Sequence, residues 1–223
     1  MHKYLTIIPA RKSSKRLKKK NLMNFYNKPL INFTFDLAKK IKKFDYVLLS
    51  SNDEQIIKIA KKKKINVPFK RPSYLSGDKV DLNKVVIHAI KWYENNFKSL
   101  PKNIVLLQPT SPLRDHKEIN KIISTFEKKN YESLLSASSP FQDPKDLFYS
   151  DKKMIKALKN TSKNIFFVDG SIYLCKTTFF KKYGTITNQN SKIFHIKQSN
   201  SFDINNKFEL ELALAYYSYK RKK

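Results

Sequence analysis

Four short, almost uninterrupted apolar runs constrain this chain more than any other feature: YLTIIP at 4–9, YVLLSS at 46–51, NIVLLQ at 103–108 and SLLSAS at 133–138. Runs of this length without polar alternation read as strands covered on both faces. Segments with apolar residues at helical spacing lie between them. PLINFTFDLAKK, 29–40, puts Pro29 where a first helical turn tolerates it. DEQIIKIAKKK, 53–63, can be capped by Ser51 or Asn52. Residues 80–97 gather Val85, Val86, Ala89, Ile90 and Trp92 largely on one side, HKEINKIISTFEKK begins at His116, and 205–219 reads as a closing helix. The alternation predicts an α/β fold with a mainly parallel sheet between two helical layers and right-handed crossovers. The 223 residues suit a single domain. Only 139–165 breaks the rhythm: it is polar, carries Pro140 and Pro144, and has a possible strand at 153–158. It reads as an inserted arm or dimerisation element.

Charge raises a second class of function. The formal net charge is +28, with Lys and Arg together at 46 and Asp and Glu together at 18. A basic surface of this size suits nucleic acid. Against it, only five of the cations are Arg, Gly falls to 3, and no DNA- or RNA-binding motif is present. The lysine excess is the usage of an AT-rich coding sequence, spread over every solvated face. Nucleic acid is therefore not the expected partner, although the field would still speed encounters with anionic substrates. The single cysteine, Cys175, rules out an internal disulfide and reads as a buried small hydrophobe. No stretch approaches the roughly 20 apolar residues that span a bilayer. The N-terminus lacks the apolar core of a signal peptide. A cytoplasmic protein with no membrane partner is expected.

Ligands of parallel α/β sheets bind outside the carboxyl ends of the strands. That rule gathers the informative loops. After the first strand comes ARKSSKRLKKKN, rich in cations and hydroxyls, a plausible cradle for a polyphosphate. After the third comes Gln108 with PTSPLR. FFVDGSIYL brings Asp169 and Gly170, and SFDINN brings Asp203. The scarce arginines mark the same places: Arg11 and Arg16 in the first loop, Arg71 in RPSYLSGD, Arg114 closing QPTSPLR. Where lysine is the default cation, an arginine marks a need for a planar, bidentate donor.

ARKSSKRLKKKN, RPSYLSGD, LLQPTSPLR, DGSIYL and SFDINN stand in the order and spacing of the acylneuraminate cytidylyltransferase family, the CMP-nonulosonic acid synthetases, which this chain resembles from about residue 4 to 215. The CMP-ketodeoxyoctonate synthetases are the weaker match. They share a similar first loop but look different in the LLQPTSPLR strand. The resemblance implies a Rossmann-like α/β domain, usually dimeric through a small projecting element, which here falls at 139–165. It implies transfer of CMP from CTP to a nine-carbon α-keto acid sugar of sialic, legionaminic or pseudaminic type, with Mg²⁺ and release of pyrophosphate. It places Arg11, Ser14 and Lys20 on the triphosphate, with Asn21 and Arg71 near the cytidine. Gln108, Asp169, Gly170 and Tyr173 fall toward the sugar. Lys20, Arg11 and Asp203 carry the catalytic roles, and Asp203 with Asn205 forms the metal motif.

The chain also departs from the family pattern. Small residues near 12 and 13 and a Pro near 18 are usual, and here stand Lys12, Ser13 and Lys18. The usual Asp-Ile-Asp is Asp203-Ile204-Asn205, which removes one negative charge from the metal site and leaves Asp203 as its main ligand. Asp169 stands where many relatives have Asn. The histidines show no metal spacing.

Overall fold

The computed structural model describes residues 2–143, 148–151, 154–157 and 165–222. In chain order the elements are β1 (Tyr4–Ala10), β2 (Asn24–Phe25), β3 (Lys28–Pro29), α1 (Ile31–Lys40), β4 (Tyr46–Ser51), α2 (Glu54–Lys62), α3 (Leu82–Phe97), β5 (Asn103–Leu106), α4 (His116–Lys128), β6 (Ser133–Ser138), β7 (Phe148–Asp151), β8 (Met154–Ala157), β9 (Phe167–Lys176), α5 (Thr177–Tyr183), β10 (Lys192–His195) and α6 (Lys207–Lys222).

All four apolar runs form strands of one six-stranded sheet, ordered β10-β6-β9-β5-β1-β4. β1 pairs parallel with β4 and β5, and β10 pairs parallel with β6. β9 runs antiparallel to both its neighbours, β5 and β6. One strand out of six is thus reversed, and this decides where its motif lies. Asp169 and Gly170 sit near the beginning of β9, so they meet the carboxyl ends of the other strands.

Period-2 alternation splits β1 between two cores. Tyr4 and Ile8 join the cluster of α1, α2 and α4, whereas Leu5 and Ile7 join the cluster of α3 and α5. A third cluster seats α6, through Leu210 and Ala213, on Leu17, Phe25, Leu30, Leu113 and Ile204. Through it, the first loop and the segment after Gln108 share one apolar floor.

Several local expectations shift. Asp53, not Ser51 or Asn52, caps α2: its carboxylate accepts from the Gln55 and Ile56 amides at 2.8 and 3.3 Å. Ser51 instead accepts from the Asp53 amide at 3.0 Å. Pro29 lies in β3, paired with Asn24, and the helix starts two residues later. β5 stops at Leu106, although the Leu107 amide still donates to the Ile7 carbonyl at 3.0 Å. Neither β10 nor α5 was expected. Cys175 is buried in β9, as expected of a small hydrophobe. Of the arm at 139–165, residues 144–147, 152–153 and 158–164 lie outside the described residues. β7 and β8 form an antiparallel ladder of their own, apart from the main sheet.

Candidate active site

A cleft of about 260 Å³ opens beyond the carboxyl ends of β1 and β5. Arg11, Arg16, Lys20 and Asn21 line it from the first loop, Arg71 and Asp78 from the segment before α3, and Gln108 and Asn205 from the far side. Four separated motifs therefore meet in one place. A larger groove of about 710 Å³, between α1, the start of α4 and the end of α6, takes in Pro112, Leu113 and Arg114 from these motifs.

The first loop is held by its backbone and leaves its cations at the rim. Lys19 takes a left-handed conformation, φ 52°, at the turn that sends Lys20 inward. Asn21, buried, donates to the Arg11 carbonyl at 3.3 Å and ties the two ends of the loop together. Lys12 is anchored through its amide to Asn52 at 2.8 Å. Arg11 pairs with Asp78, and Lys15 reaches the other oxygen of that carboxylate at 3.5 Å. Arg16 and Lys20 both donate to Asn205 Oδ1, at 3.1 and 3.3 Å. Burial pushes the Lys20 pKa down, and the Asp203 carboxylate opposes that shift.

Arg71 is buried under this rim. Its side chain donates to the hydroxyl and the carbonyl of Ser50, and its amide donates to the Ser51 carbonyl at 2.8 Å. Burial, with repulsion from Arg11, lowers its pKa to about 10. Two guanidiniums near enough to repel across a concave surface make a place that an anion relieves.

The opposite wall is a frame of hydrogen bonds. Gln108 donates to the Tyr173 hydroxyl at 3.4 Å. Gly170 has φ +69°, and a Cβ there would stand 3.6 Å from the Gln108 carboxamide carbon and 3.7 Å from Ser111 Oγ. The turn at Gly170 belongs to an irregularity in the β6–β9 ladder. Leu135 pairs with Tyr173 but Ala137 with Val168, so residues 169–172 stand opposite Ser136 alone. Asp169 braces this bulge from within. Its Oδ1 accepts from Ser136 Oγ and from the Ser171 amide, both at 2.7 Å. Burial pushes its carboxyl above the usual carboxylate range, and its Oδ2 has no hydrogen-bond partner. Arg114 closes the frame by donating to the Ser171 carbonyl at 2.8 Å and to Thr34 Oγ1. Burial lowers its pKa to about 9, against the pull of Asp169 and Asp203. Burial likewise pushes the Tyr173 hydroxyl up to about 12.

Among the described residues no group of three or more His, Cys, Asp or Glu could hold a metal ion. Asp203 nevertheless suits a hard cation: its Oδ1 is buried without a partner, while Oδ2 accepts from Asn205 Nδ2 at 2.7 Å. The Asn205 carbonyl oxygen is already shared by Arg16 and Lys20, so Asp203 alone offers a free oxygen. Glu209 fixes this turn by accepting from the Asn205 and Asn206 amides, and Asn206 in turn accepts from the Glu209 amide at 2.9 Å. That reciprocal cap starts α6.

Of the residues singled out in the sequence, Arg11, Arg16, Lys20, Asn21, Arg71, Gln108 and Asn205 line the cleft. Asp203 sits one bond behind Asn205. Gly170, Tyr173 and Asp169 lie behind Gln108 and its neighbours, and Asp169 is wholly enclosed. Ser14 is half-buried in the first loop, outside the lining. Asp78, Ser136 and Ser171 were not anticipated. Short hydroxyls and a lone loop carboxylate carry no spacing signal.

A mainly parallel α/β sheet with cations converging beyond its strand ends is a place to hold a phosphate-bearing ligand. The chain belongs to the cytidylyltransferase family, whose profile matches residues 5–218. It is 30% identical to the pseudaminic acid cytidylyltransferase of Campylobacter jejuni subsp. jejuni serotype O:2, over 96% of each chain. It is 27% identical to the N-acylneuraminate cytidylyltransferase of Escherichia coli O18:K1:H7, over 99% of this chain and 53% of that one. The same fold occurs in a CMP:2-keto-3-deoxy-manno-octonic acid synthetase solved in complex with CTP. The TM-score is 0.72 at 13% identity, covering 98% of this chain and 99% of that one.

Proposed function

We propose that this enzyme transfers CMP from CTP to the anomeric hydroxyl of a nonulosonic acid of the pseudaminic, legionaminic or sialic type, releasing pyrophosphate. The observation that carries the reading is the convergence of Arg11, Arg16, Lys20 and Arg71 in one cleft of a chain from the cytidylyltransferase family. The named activities of its relatives support the sugar class.

In the reaction the sugar oxygen gives up its proton to solvent and bonds to the α-phosphorus as the bond from that phosphorus to the bridging oxygen breaks, and pyrophosphate carries the charge away. The protein's part is alignment and neutralisation. Arg11, Ser14 and Lys20 take the phosphates, and Asn21 and Arg71 bound the cytidine side. Gln108, held by Tyr173, faces the sugar, and the Gly170 turn lets the sugar–nucleotide junction approach the backbone. Asp169 acts through that turn rather than by touch. A magnesium ion held at Asp203 would neutralise charge on the phosphates. As proposed, the enzyme works in the cytoplasm, where CTP is supplied. It is a homodimer through the 139–165 segment. The exposed apolar run Ile165–Val168, beside that segment, supports this association.

Pyrophosphate release tests the reading, using purified protein with CTP, Mg²⁺ and a panel of pseudaminic, legionaminic and N-acetylneuraminic acids. Release with one acid, and none with CTP alone, is expected. Silence with every acid, together with no CTP binding, would overturn it.

A further inference from the structure

Among the described residues Asp78 is the one carboxylate lining the cleft, and it holds two first-loop cations at once. Arg11 pairs with one of its oxygens, and Lys15 stands 3.5 Å from the other. Asp78 lies between the turn that carries Arg71 and the start of α3, so this contact bridges the mouth of the cleft from the base side to the loop. A carboxylate with each oxygen facing a cation repeats the geometry of a bridging phosphate. Arg16 and Lys20, farther along the loop, lean on the neutral Asn205 and must break no ion pair to receive an anion.

We infer that Asp78 is an internal stand-in for the distal phosphates of the nucleotide, a competitor that a triphosphate must displace from Arg11 and Lys15 and that a monophosphate leaves in place. This rests on the CTP reading above. A ligand with β- and γ-phosphates displaces Asp78, because several charged oxygens outcompete one carboxylate for Arg11 and Lys15. A monophosphate has nothing to reach them with and leaves the pair closed. The pair therefore weakens the binding of any ligand that needs Arg11 and leaves untouched one that does not. After transfer and loss of pyrophosphate, the product carries one phosphate, and Asp78 can close again beside it. The contact is partly exposed, so its strength is modest and suited to being broken in each cycle.

Calorimetric titration of the full chain with CTP, CMP and inorganic tripolyphosphate tests this, comparing wild type, Asp78→Asn and Asp78→Ala. Thermal unfolding of each variant verifies that it is folded. Loss of the carboxylate should tighten CTP and tripolyphosphate about two- to fivefold, the range of a partly exposed ion pair. CMP affinity should move less than twofold, and KM for CTP should fall while kcat holds or drops. A role in merely bracing the loop would weaken CTP instead. Weaker or unchanged CTP and tripolyphosphate binding in both folded variants would overturn the inference. So would CMP tightening as much as CTP, which marks a uniform field effect. If tripolyphosphate tightens on Asp78→Asn but wild type ignores CTP, the phosphate role of Asp78 stands and the cytidine reading falls. If wild type binds neither, both fall.

Discussion

Along the first loop, Arg11, Lys15, Arg16 and Lys20 find partners at the rim of the cleft, through side chains that solvent still reaches, and each partner belongs to a distant segment. Around Gly170 the groups in contact are Ser111, Ser136, Asp169 and Ser171, all enclosed, bonded to one another and to Arg114. Exposed ion pairs are worth about 0–1 kcal/mol and exchange readily. A buried hydrogen-bonded network resists change, because any orphaned group costs about 1–3 kcal/mol. One wall of the site therefore grips by charge and adapts, and the other is set before the ligand arrives.

The largest expected effect falls where the two walls meet. Asp203→Ala removes the free buried oxygen that suits a cation, and turnover should fall at least about 10³-fold, the scale of losing one key electrostatic contact. Asn205→Asp should leave turnover intact or raise it. Pyrophosphate release under saturating Mg²⁺ checks both, and near-normal activity in Asp203→Ala removes the metal assignment. Next comes Arg114→Ala, which strips the donors from the Ser171 carbonyl and Thr34 inside the frame. Chemical denaturation should show a loss of about 2–4 kcal/mol. A loss below about 0.5 kcal/mol would mean that the frame is not held from within.

A smaller and more selective effect is expected at Gly170. Alanine fits the space but must hold φ +69°, a strain of about 1–2 kcal/mol. KM for the sugar should rise about tenfold while KM for CTP stays near wild type. Equal rises in both would erase the contrast between the walls. The smallest effect concerns pH. Burial raises the Asp169 pKa, so folding favours its protonated form. The stability that this gives is full below the ordinary carboxylate pKa and lost as pH rises through the raised value. Asp169→Asn should flatten the melting temperature against pH from the ordinary carboxylate range upward, and an unchanged slope would show that Asp169 titrates normally.

Much of the scaffold was legible because β1, β4, β5 and β6 are covered on both faces and so read as bare apolar runs. The direction of β9 was not. A buried strand carries the same side chains whichever way it runs, and only its pairing with β5 and β6 reveals the reversal. α5 follows β9 without a break, so no turn residue announced it. In the site, the cations and Gln108 stood out because arginine is scarce and the motifs are spaced. Asp53 took the capping role from its neighbours because its carboxylate, one residue further on, meets two amides at once. Asp78 escaped notice because its importance lies in Arg11, 67 residues earlier in the chain.

The reversal of β9 has a further consequence. Ser138 ends β6 directly opposite Phe167 at the start of β9, so the chain departs and returns at a single doorway on the edge of the sheet from which the cleft opens. Whatever is threaded between those two residues can lengthen, shorten or change character without altering the register of any strand in the main sheet. The fold thus keeps an interchangeable attachment next to its chemistry, where a lineage could refit the surroundings of the sugar while the machinery that holds the nucleotide stays as it was.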